Sequence, residues 1–106
     1  MEKLVLTYRV RPEKKDEYIK AHDEFWPELT RGFKNAGVHE MSVFIRGNHL
    51  FLYGLVDDLE RFNRYMNTDP DYQRWNEWMC QLLEAPYDDR EPSPFATLDE
   101  IWKFNP

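Results

Sequence analysis

The chain opens with an alternation of apolar and polar side chains. Over residues 3–10 every second position is apolar, which is the period of a β-strand with one face in a core. The positions that share this face are Leu4, Leu6, Tyr8 and Val10. Pro12 lacks a backbone N–H and cannot extend a ladder of hydrogen bonds, so we expect the strand to end before it.

After Pro12 the apolar positions recur at steps of three and four residues, which is typical of an amphipathic helix. The pattern runs from Glu13 to about Asn35 and predicts one long helix, with Gly37 as its terminator. The stripe consists of Tyr18, His22, Phe25, Trp26, Leu29 and Phe33. Pro27 has two interpretations: it bends a continuous helix, or the helix breaks there and Pro27 begins a new one.

Two runs rich in β-branched and aromatic residues follow, over residues 38–45 and 49–56. The residues between them include Gly47 and Asn48, which tolerate the positive φ of tight hairpin turns. The pattern therefore predicts a β-hairpin in which both of these residues adopt a positive φ.

Two shorter helices and a final strand are predicted in the second half of the chain. Asp57 and Asp58 precede one helix and Thr68-Asp69-Pro70 precedes the other, and each group can cap a helix N-terminus. The segment 85–94 contains three prolines and a run of charged residues, so we expect a loop or an arm. Residues 95–104 alternate again and predict a last strand.

The order β-α-β-β-α-α-β is that of a ferredoxin-like α+β domain, in which a four-stranded antiparallel sheet has its helices on one face. With 106 residues there is room for one such unit, so residues 1–106 are expected to form a single domain. The other sheet face would expose an apolar patch in a monomer. We therefore expect a face-to-face homodimer, a dimeric α/β barrel, and the proline-rich arm gives the last strand the reach to pair with the neighbouring sheet.

Composition and charge narrow the choice of partners. Acidic residues outnumber basic ones by 20 to 14, a net charge of −6, and this balance disfavours nucleic acid. No apolar run approaches the roughly 20 residues of a membrane span, and the N-terminal residues lack an apolar signal core. Because Cys80 is the only cysteine, a reducing, cytoplasmic setting is expected.

The motifs of several common chemistries are missing. The chain has 4 glycines and no GxGxxG or GxxxxGK[ST] pattern with which to hold a phosphate. His39 and His49 flank the predicted hairpin and can approach each other there, but two ligands are too few for a closed zinc site. No histidine or basic residue lies within a helical turn of Cys80 to activate its thiol. We expect neither a metal nor a cofactor.

His22 is the first candidate for proton transfer. It lies within the helical stripe, one turn after Tyr18 and one turn before Trp26, so a phenol, an imidazole and an indole are expected to share one face. The pKa of such an imidazole is open to tuning near neutrality. A core histidine with a satisfied hydrogen bond would give the same pattern, and the pattern alone leaves both interpretations open.

Trp75 belongs to a second helical stripe, which also contains Tyr72, Trp78 and Met79. Aromatic rings of this kind stack on the apolar face of a sugar, and they also fill cores. Both interpretations hold together in a small domain, because the wall of a pocket is also the edge of the core. Trp26 is a further candidate for this wall.

These segments resemble the L-rhamnose mutarotase family over nearly the whole chain. The resemblance rests on Tyr18 and His22 at four-residue spacing, Trp26-Pro27-Glu28-Leu29, Gly37 and His39 before the hairpin, and Thr68-Asp69 leading to Gln73-Arg74-Trp75 and Met79. It implies a dimeric ferredoxin-like fold and a cofactor-free cytoplasmic enzyme that interconverts the α and β anomers of a 6-deoxy-L-sugar.

The resemblance also implies roles for individual residues. His22 matches the family's proton donor, Tyr18 matches a sugar-binding tyrosine, and Trp75 matches the first of two adjacent tryptophans that hold the sugar. Met41 stands where the family has a second sugar-contacting tyrosine, and Asn76 stands where it has the second tryptophan. These two departures change the shape and the hydrogen bonding of the pocket, so L-fucose joins L-rhamnose as a candidate substrate.

Two other functional classes fit the same architecture. A small monooxygenase can be built on a dimeric α+β barrel, since a fold does not by itself specify a reaction. A non-catalytic sugar-binding or regulatory module would bind the same ligand without changing the rate of anomer exchange. Mutarotation itself needs only an acid and a base placed against the sugar, which agrees with the small size of the chain.

Overall fold

The computed structural model describes all 106 residues. Its elements, in chain order, are β1 (Glu2–Arg9), a 3₁₀ turn (Pro12–Lys14), α1 (Lys15–Asp23), α2 (Pro27–Asn35), β2 (Val38–Arg46), β3 (His49–Val56), α3 (Leu59–Thr68), α4 (Pro70–Leu82) and β4 (Ala96–Thr97). None of the helices is both long enough and apolar enough to cross a bilayer. The order of elements confirms the α+β, ferredoxin-like architecture.

The four strands form one antiparallel sheet in the order β2-β3-β1-β4. β1 and β3 pair along their whole length at the centre of the sheet. Because successive side chains of a strand point to opposite faces, the alternation in β1 directs Leu6 and Tyr8 into the core beneath the helices, where they meet Leu50 of β3. The first predicted strand is therefore confirmed, with the inward face that its sequence indicates.

The stretch predicted as one long helix is two helices with a break between them. α1 ends at Asp23, and the backbone of Trp26 is extended, with φ −68° and ψ 129°. Pro27 restricts the residue before it to such extended geometry and then occupies the first turn of α2, where its missing N–H leaves no bond unmade. The prediction of one continuous helix is wrong, and the alternative, that Pro27 begins a new segment, is confirmed.

The hairpin between β2 and β3 closes through a two-residue turn of Gly47 and Asn48. Gly47 has a φ of +62°, and no residue other than glycine has a positive φ, so the expectation for Asn48 is wrong. A positive φ at the first turn position alone is the type II′ arrangement. Asn48 contributes through its side-chain amide instead, which donates to the carbonyl of Val10 and to the carboxylate of Glu84.

α3 and α4 begin at aspartates, as the sequence predicts. The carboxylate of Asp58 accepts hydrogen bonds from the N–H groups of Glu60 and Arg61, and that of Asp69 accepts one from the N–H of Asp71. These bonds satisfy N–H groups that have no partner within the helix. The cap of α4 therefore helps to fix the helix that carries the second aromatic stripe.

The helices cover one face of the sheet through two adjoining clusters. The larger cluster contains Tyr8, Val10, Tyr18, Ala21, Leu29, Leu50, Trp75, Met79, Leu82 and Leu83. The smaller cluster contains Ala36, Val56, Phe62 and Met66. Residues from both predicted helical stripes are therefore in the core, and the tyrosines and the tryptophan bring polar atoms into it.

The opposite face of the sheet carries no helix. Phe44 of β2 lies directly across from Phe51 of β3, and these side chains are 58% and 38% exposed. Tyr53 and Val5 continue the same face on β3 and β1, where they also lie opposite each other. We call the surface formed by Val5, Phe44, Phe51 and Tyr53 the open sheet face, and it is the apolar patch that the order of elements predicts.

The last strand is much shorter than the sequence predicts. Only Ala96 and Thr97 pair with β1, so the expectation of a strand over residues 95–104 is wrong. β4 is an edge strand, and no helix or strand forms in the residues beyond it. Ile101 and Trp102 are accordingly 95% and 75% exposed.

Candidate active site

A cavity of about 920 Å³ lies between the helices and the inner face of the sheet. Most of its walls are apolar. The polar and phenolic side chains on the walls are Tyr8, Tyr18, His22, Asp23, Asn63, Tyr72, Asn76 and Thr97. Asp23, Asn63 and Thr97 are exposed and belong to the rim, while the other five are buried or half-buried. An apolar cavity with a few inward polar groups is the usual form of a small-molecule site.

His22 lies in the last turn of α1, half-buried in the cavity wall. Its Nδ1 is 2.9 Å from the backbone carbonyl oxygen of Tyr18, one turn earlier in the helix. A carbonyl oxygen can only accept a hydrogen bond, so Nδ1 carries the hydrogen and Nε2 of the neutral ring keeps its lone pair. Burial lowers the pKa of His22, and the bond to the Tyr18 carbonyl opposes this effect in part. Near pH 7 the ring is therefore neutral, with Nε2 as an acceptor.

The hydroxyl of Tyr18 is held by a second buried tyrosine. The hydroxyl oxygens of Tyr18 and of Tyr8, which comes from β1, are 2.8 Å apart. Burial raises the pKa of Tyr8 to about 12, and burial together with the neighbouring Tyr8 raises the pKa of Tyr18 further. Both hydroxyls stay protonated at neutral pH. One hydrogen is used between them, and the other is available to a ligand.

Trp75 forms the aromatic wall beside His22. The centroid of the indole lies 5.2 Å from that of the imidazole, with the two rings nearly perpendicular. Trp26 and Trp78 both pack edge-to-face on Trp75, with ring centroids 5.3 and 5.7 Å away. The Nε1–H of Trp78 also donates a hydrogen bond to the Glu17 carboxylate of α1. Only 6% of Trp75 is exposed. The same indole is thus both core and cavity wall, as the sequence suggests.

The structure brings together five of the six residues that the sequence singles out. Tyr18, His22, Met41, Trp75 and Asn76 all line the cavity, which draws them from α1, β2 and α4. Trp26 does not line it. It lies behind Trp75, so any influence of Trp26 on a ligand passes through the Trp75 ring.

Comparisons with known proteins identify the family to which the chain belongs. The family model for L-rhamnose mutarotase matches residues 3–104. The chain is 36% identical to the L-rhamnose mutarotase of Oceanobacillus iheyensis over 96 residues, which is 88% of each protein. The chain belongs to the L-rhamnose mutarotase family. This family membership confirms the resemblance predicted from the motifs.

Solved structures share the fold of this family member. The L-rhamnose mutarotase FA22100 from Formosa agariphila matches it with a TM-score of 0.77 and 23% identity, over 99% of this chain and 100% of that one. A structure described as an antibiotic biosynthesis monooxygenase matches with a TM-score of 0.66 and 10% identity, over 95% of this chain and 99% of that one. At these identities the similarity concerns the fold alone.

The two remaining histidines of this family member lie apart from the cavity. His39 is at the open end of the hairpin and bonds to the carboxylate of Asp57. His49 is at the turn end, where its Nε2 lies 2.7 Å from the hydroxyl oxygen of Thr7. The approach of these histidines that the sequence allows does not occur. No group of three or more His, Cys, Asp or Glu side chains lies close enough together to hold a metal ion.

The sequence analysis missed the roles of two tyrosines in the cavity. Tyr8 is assigned there only to the inner face of a strand, and Tyr72 only to the stripe of a helix. The sequence did contain a signal for the role of Tyr8. A buried tyrosine needs a polar partner for its hydroxyl, and the other inward positions of this strand are aliphatic. An inward tyrosine on β1 therefore indicates a polar group across the core, which the structure identifies as Tyr18.

Proposed function

We propose that this member of the L-rhamnose mutarotase family interconverts the α and β anomers of a 6-deoxy-L-hexose by opening and reclosing its ring. The proposal rests on one observation above all. His22 is a neutral imidazole, fixed through Nδ1 and left with a free Nε2 in the wall of an apolar cavity. Mutarotation requires a group that takes a proton from one sugar oxygen and delivers a proton to another, and a histidine tuned in this way can do both.

A single nitrogen is sufficient for the proposed proton transfers. Nε2 of His22 takes the proton of the anomeric hydroxyl while the bond between C1 and the ring oxygen breaks and the aldehyde forms. The imidazolium then gives that proton to the ring oxygen, which is within reach because both oxygens started on C1. After rotation about the C1–C2 bond, the reverse steps close the ring on the other face of the aldehyde. No atom or electron is gained or lost, and His22 ends neutral.

Tyr18 has the properties of a hydrogen-bond donor to the reacting oxygens. Its raised pKa makes it a poor source of a full proton, so it would stabilise developing negative charge without ionising. The bond to Tyr8 restricts where its hydroxyl points. We assign to Tyr18 the orientation of the sugar, and to His22 the transfer of the proton.

The apolar walls suit the methyl group of a 6-deoxy sugar. Trp75 offers an aromatic surface beside His22, and the thioether of Met41 adds a flexible apolar contact from the sheet. The amide of Asn76 can bond to sugar hydroxyls. L-rhamnose is the sugar in the names of the relatives, and L-fucose is the second candidate because of Met41 and Asn76.

The protein is expected to accelerate anomer exchange of L-rhamnose or L-fucose. Exchange should be about 10- to 100-fold less efficient for the partner sugar, which is the hexose of the same configuration that retains the 6-hydroxyl. L-mannose is that partner for L-rhamnose, and L-galactose for L-fucose. The reason is that the extra hydroxyl would be buried against an apolar wall without a partner. Saturation-transfer NMR of the anomeric protons, with the buffer-catalysed rate subtracted, measures all four sugars under the same conditions.

The same sugar panel separates the alternative classes. Sugar-dependent shifts in the protein spectrum without accelerated exchange would identify a non-catalytic binding module. If no sugar binds and none is turned over, the mutarotase proposal fails and the monooxygenase becomes the class to examine. Neither alternative has the support that family membership gives to the mutarotase.

We also propose that two chains form a homodimer through their open sheet faces. Phe44 and Phe51 are large apolar side chains on a face that no helix of the same chain covers. Burying them against a second copy would remove this surface from water and form the two-sheet barrel that the sequence predicts. Leu98 and Trp102, which follow β4, are exposed and lie beside Val5 of this face, so they are available to the second copy. The cytoplasmic location stays a prediction from the sequence.

Replacing both Phe44 and Phe51 by glutamate is expected to convert a dimer of twice 13.0 kDa into a monomer of the same fold. Each carboxylate would lose its hydration in the interface, and the two copies would bring four like charges together. Sedimentation equilibrium measures the mass. Lys20→Glu with Lys34→Glu, on the exposed helix surface, is the control and should stay dimeric. A wild-type protein that is monomeric at micromolar concentration would contradict the dimer.

A further inference from the structure

The hydroxyl of Tyr72 is a polar group of the cavity to which the proposed reaction assigns no task. Tyr72 lies on α4 and is half-buried, and its ring packs near Phe33 with a centroid separation of 6.2 Å. Burial raises the pKa of Tyr72, and no hydrogen bond contributes to that shift. The group is therefore a protonated phenol at any pH at which the reaction would be measured.

The hydroxyl of Tyr72 is accessible rather than fully buried. Every side-chain nitrogen or oxygen that is fully buried in the structure has a hydrogen-bond partner. The hydroxyl of Tyr72 has no such partner in the protein, so it is not fully buried. Because Tyr72 lines the cavity, this accessible hydroxyl is the candidate contact for a ligand bound there.

Tyr72 shares the cavity with the groups already assigned to the reaction. Tyr8, Tyr18 and His22 line it as well. One helical turn further along α4, Trp75 contacts His22 at 5.2 Å between ring centroids. A ligand in this cavity therefore has His22 and the three tyrosines on its walls.

We propose that Tyr72 is a specificity-determining residue, which donates a hydrogen bond to one hydroxyl of the sugar ring while His22 acts at C1. The inference rests on the proposed function and adds a substrate contact to it. A phenol with a raised pKa cannot replace His22 in proton transfer, but it distinguishes sugars by whether a hydroxyl is present at the matching ring position. Sites that bond a substrate hydroxyl discriminate strongly against analogues that lack it, because the site's own polar group is then left unpaired.

The test is Tyr72→Phe, which removes one oxygen and keeps the ring. We expect kcat/KM for anomer exchange of the preferred sugar to fall about 3- to 10-fold, with the dependence on pH that His22 sets left unchanged. Tyr65→Phe is the matched control, because Tyr65 lies on α3, outside the cavity, and bonds to Asn35. This control should retain the wild-type kcat/KM.

Sugars that lack single hydroxyls identify the contact. The 2-, 3- and 4-deoxy forms of the preferred sugar are compared in wild type and Tyr72→Phe as a double-mutant cycle. For one of these forms the two proteins should have equal kcat/KM, because the contact is already absent, while the others should keep the 3- to 10-fold difference. A purely structural role for Tyr72 would reduce all of them alike and would overturn the proposal.

The proposal can fail while the proposed function stands. Wild-type kcat/KM in Tyr72→Phe for every sugar, in a protein that catalyses exchange, overturns the role of Tyr72 alone. If the wild type binds a sugar without catalysing exchange, the mutarotase assignment has failed. In that case, weaker binding of the sugar to Tyr72→Phe, measured by calorimetry, still supports the contact. If the wild type neither binds nor converts any sugar, both are overturned.

Discussion

Replacing His22 by glutamine is expected to slow protein-catalysed anomer exchange by about 10²- to 10⁴-fold. A glutamine amide can form hydrogen bonds from nearly the same place, but it cannot take up and release a proton near neutral pH. The residual rate would come from binding the sugar next to Tyr18 and Trp75. Saturation-transfer NMR at saturating sugar, with the buffer rate subtracted, gives the two values of kcat.

The dependence on pH separates a catalytic His22 from a structural one. Only the neutral ring has a free Nε2, so kcat/KM should fall as the pH drops through the pKa of His22. Burial lowers that pKa below its ordinary value of about 6.5, so the fall should occur at a lower pH than for an imidazole in water. His22→Gln should lack this acidic limb.

The control for this experiment is His39→Gln. His39 is exposed, bonds to Asp57 and lies outside the cavity, so the variant should keep both the wild-type rate and the acidic limb. Two results would contradict the assignment of His22: a rate in His22→Gln close to that of the wild type, or an acidic limb that His22→Gln retains.

The repeating elements of the fold could be predicted because they are local. Alternation in β1 and in the hairpin, and steps of three and four residues in the helices, reflect which side of each element is buried. The prediction of the last strand failed because strand pairing is not a local property. Residues 98–104 have the alternation of a strand, but a strand also needs a neighbour, and within this chain only Ala96 and Thr97 find one. A periodic pattern cannot say whether a partner is present.

Most of the candidate site could be predicted because neighbours on a helix share a face. Tyr18 and His22 are one turn apart on α1, and both line the cavity. The same reasoning failed for Trp26, since the break before Pro27 takes it out of the helix that carries His22. Tyr8 and Tyr72 were not assigned to the site because their roles depend on how β1, α1 and α4 pack together, which no single stretch of sequence contains.

Replacing Trp75 by alanine is expected to lower the free energy of unfolding by about 3–5 kcal/mol. The indole is 6% exposed and packs against the rings of His22, Phe25, Trp26 and Trp78, so its removal leaves a large void in the core. Such a loss is a large part of the roughly 5–15 kcal/mol that stabilises a domain. Urea denaturation followed by circular dichroism measures it, with the protein concentration held constant.

The same substitution is expected to weaken sugar binding, because the residue that fills the core is also the wall beside His22. Trp75→Phe separates the two effects, since it fills most of the void but presents a smaller ring to the ligand. It should lose less stability than Trp75→Ala and still raise KM, measured where circular dichroism shows each variant folded. A Trp75→Ala protein that loses less than about 1 kcal/mol would contradict the packing role. A Trp75→Phe protein with unchanged KM would place the sugar away from the indole and would require a different wall of the cavity to hold it.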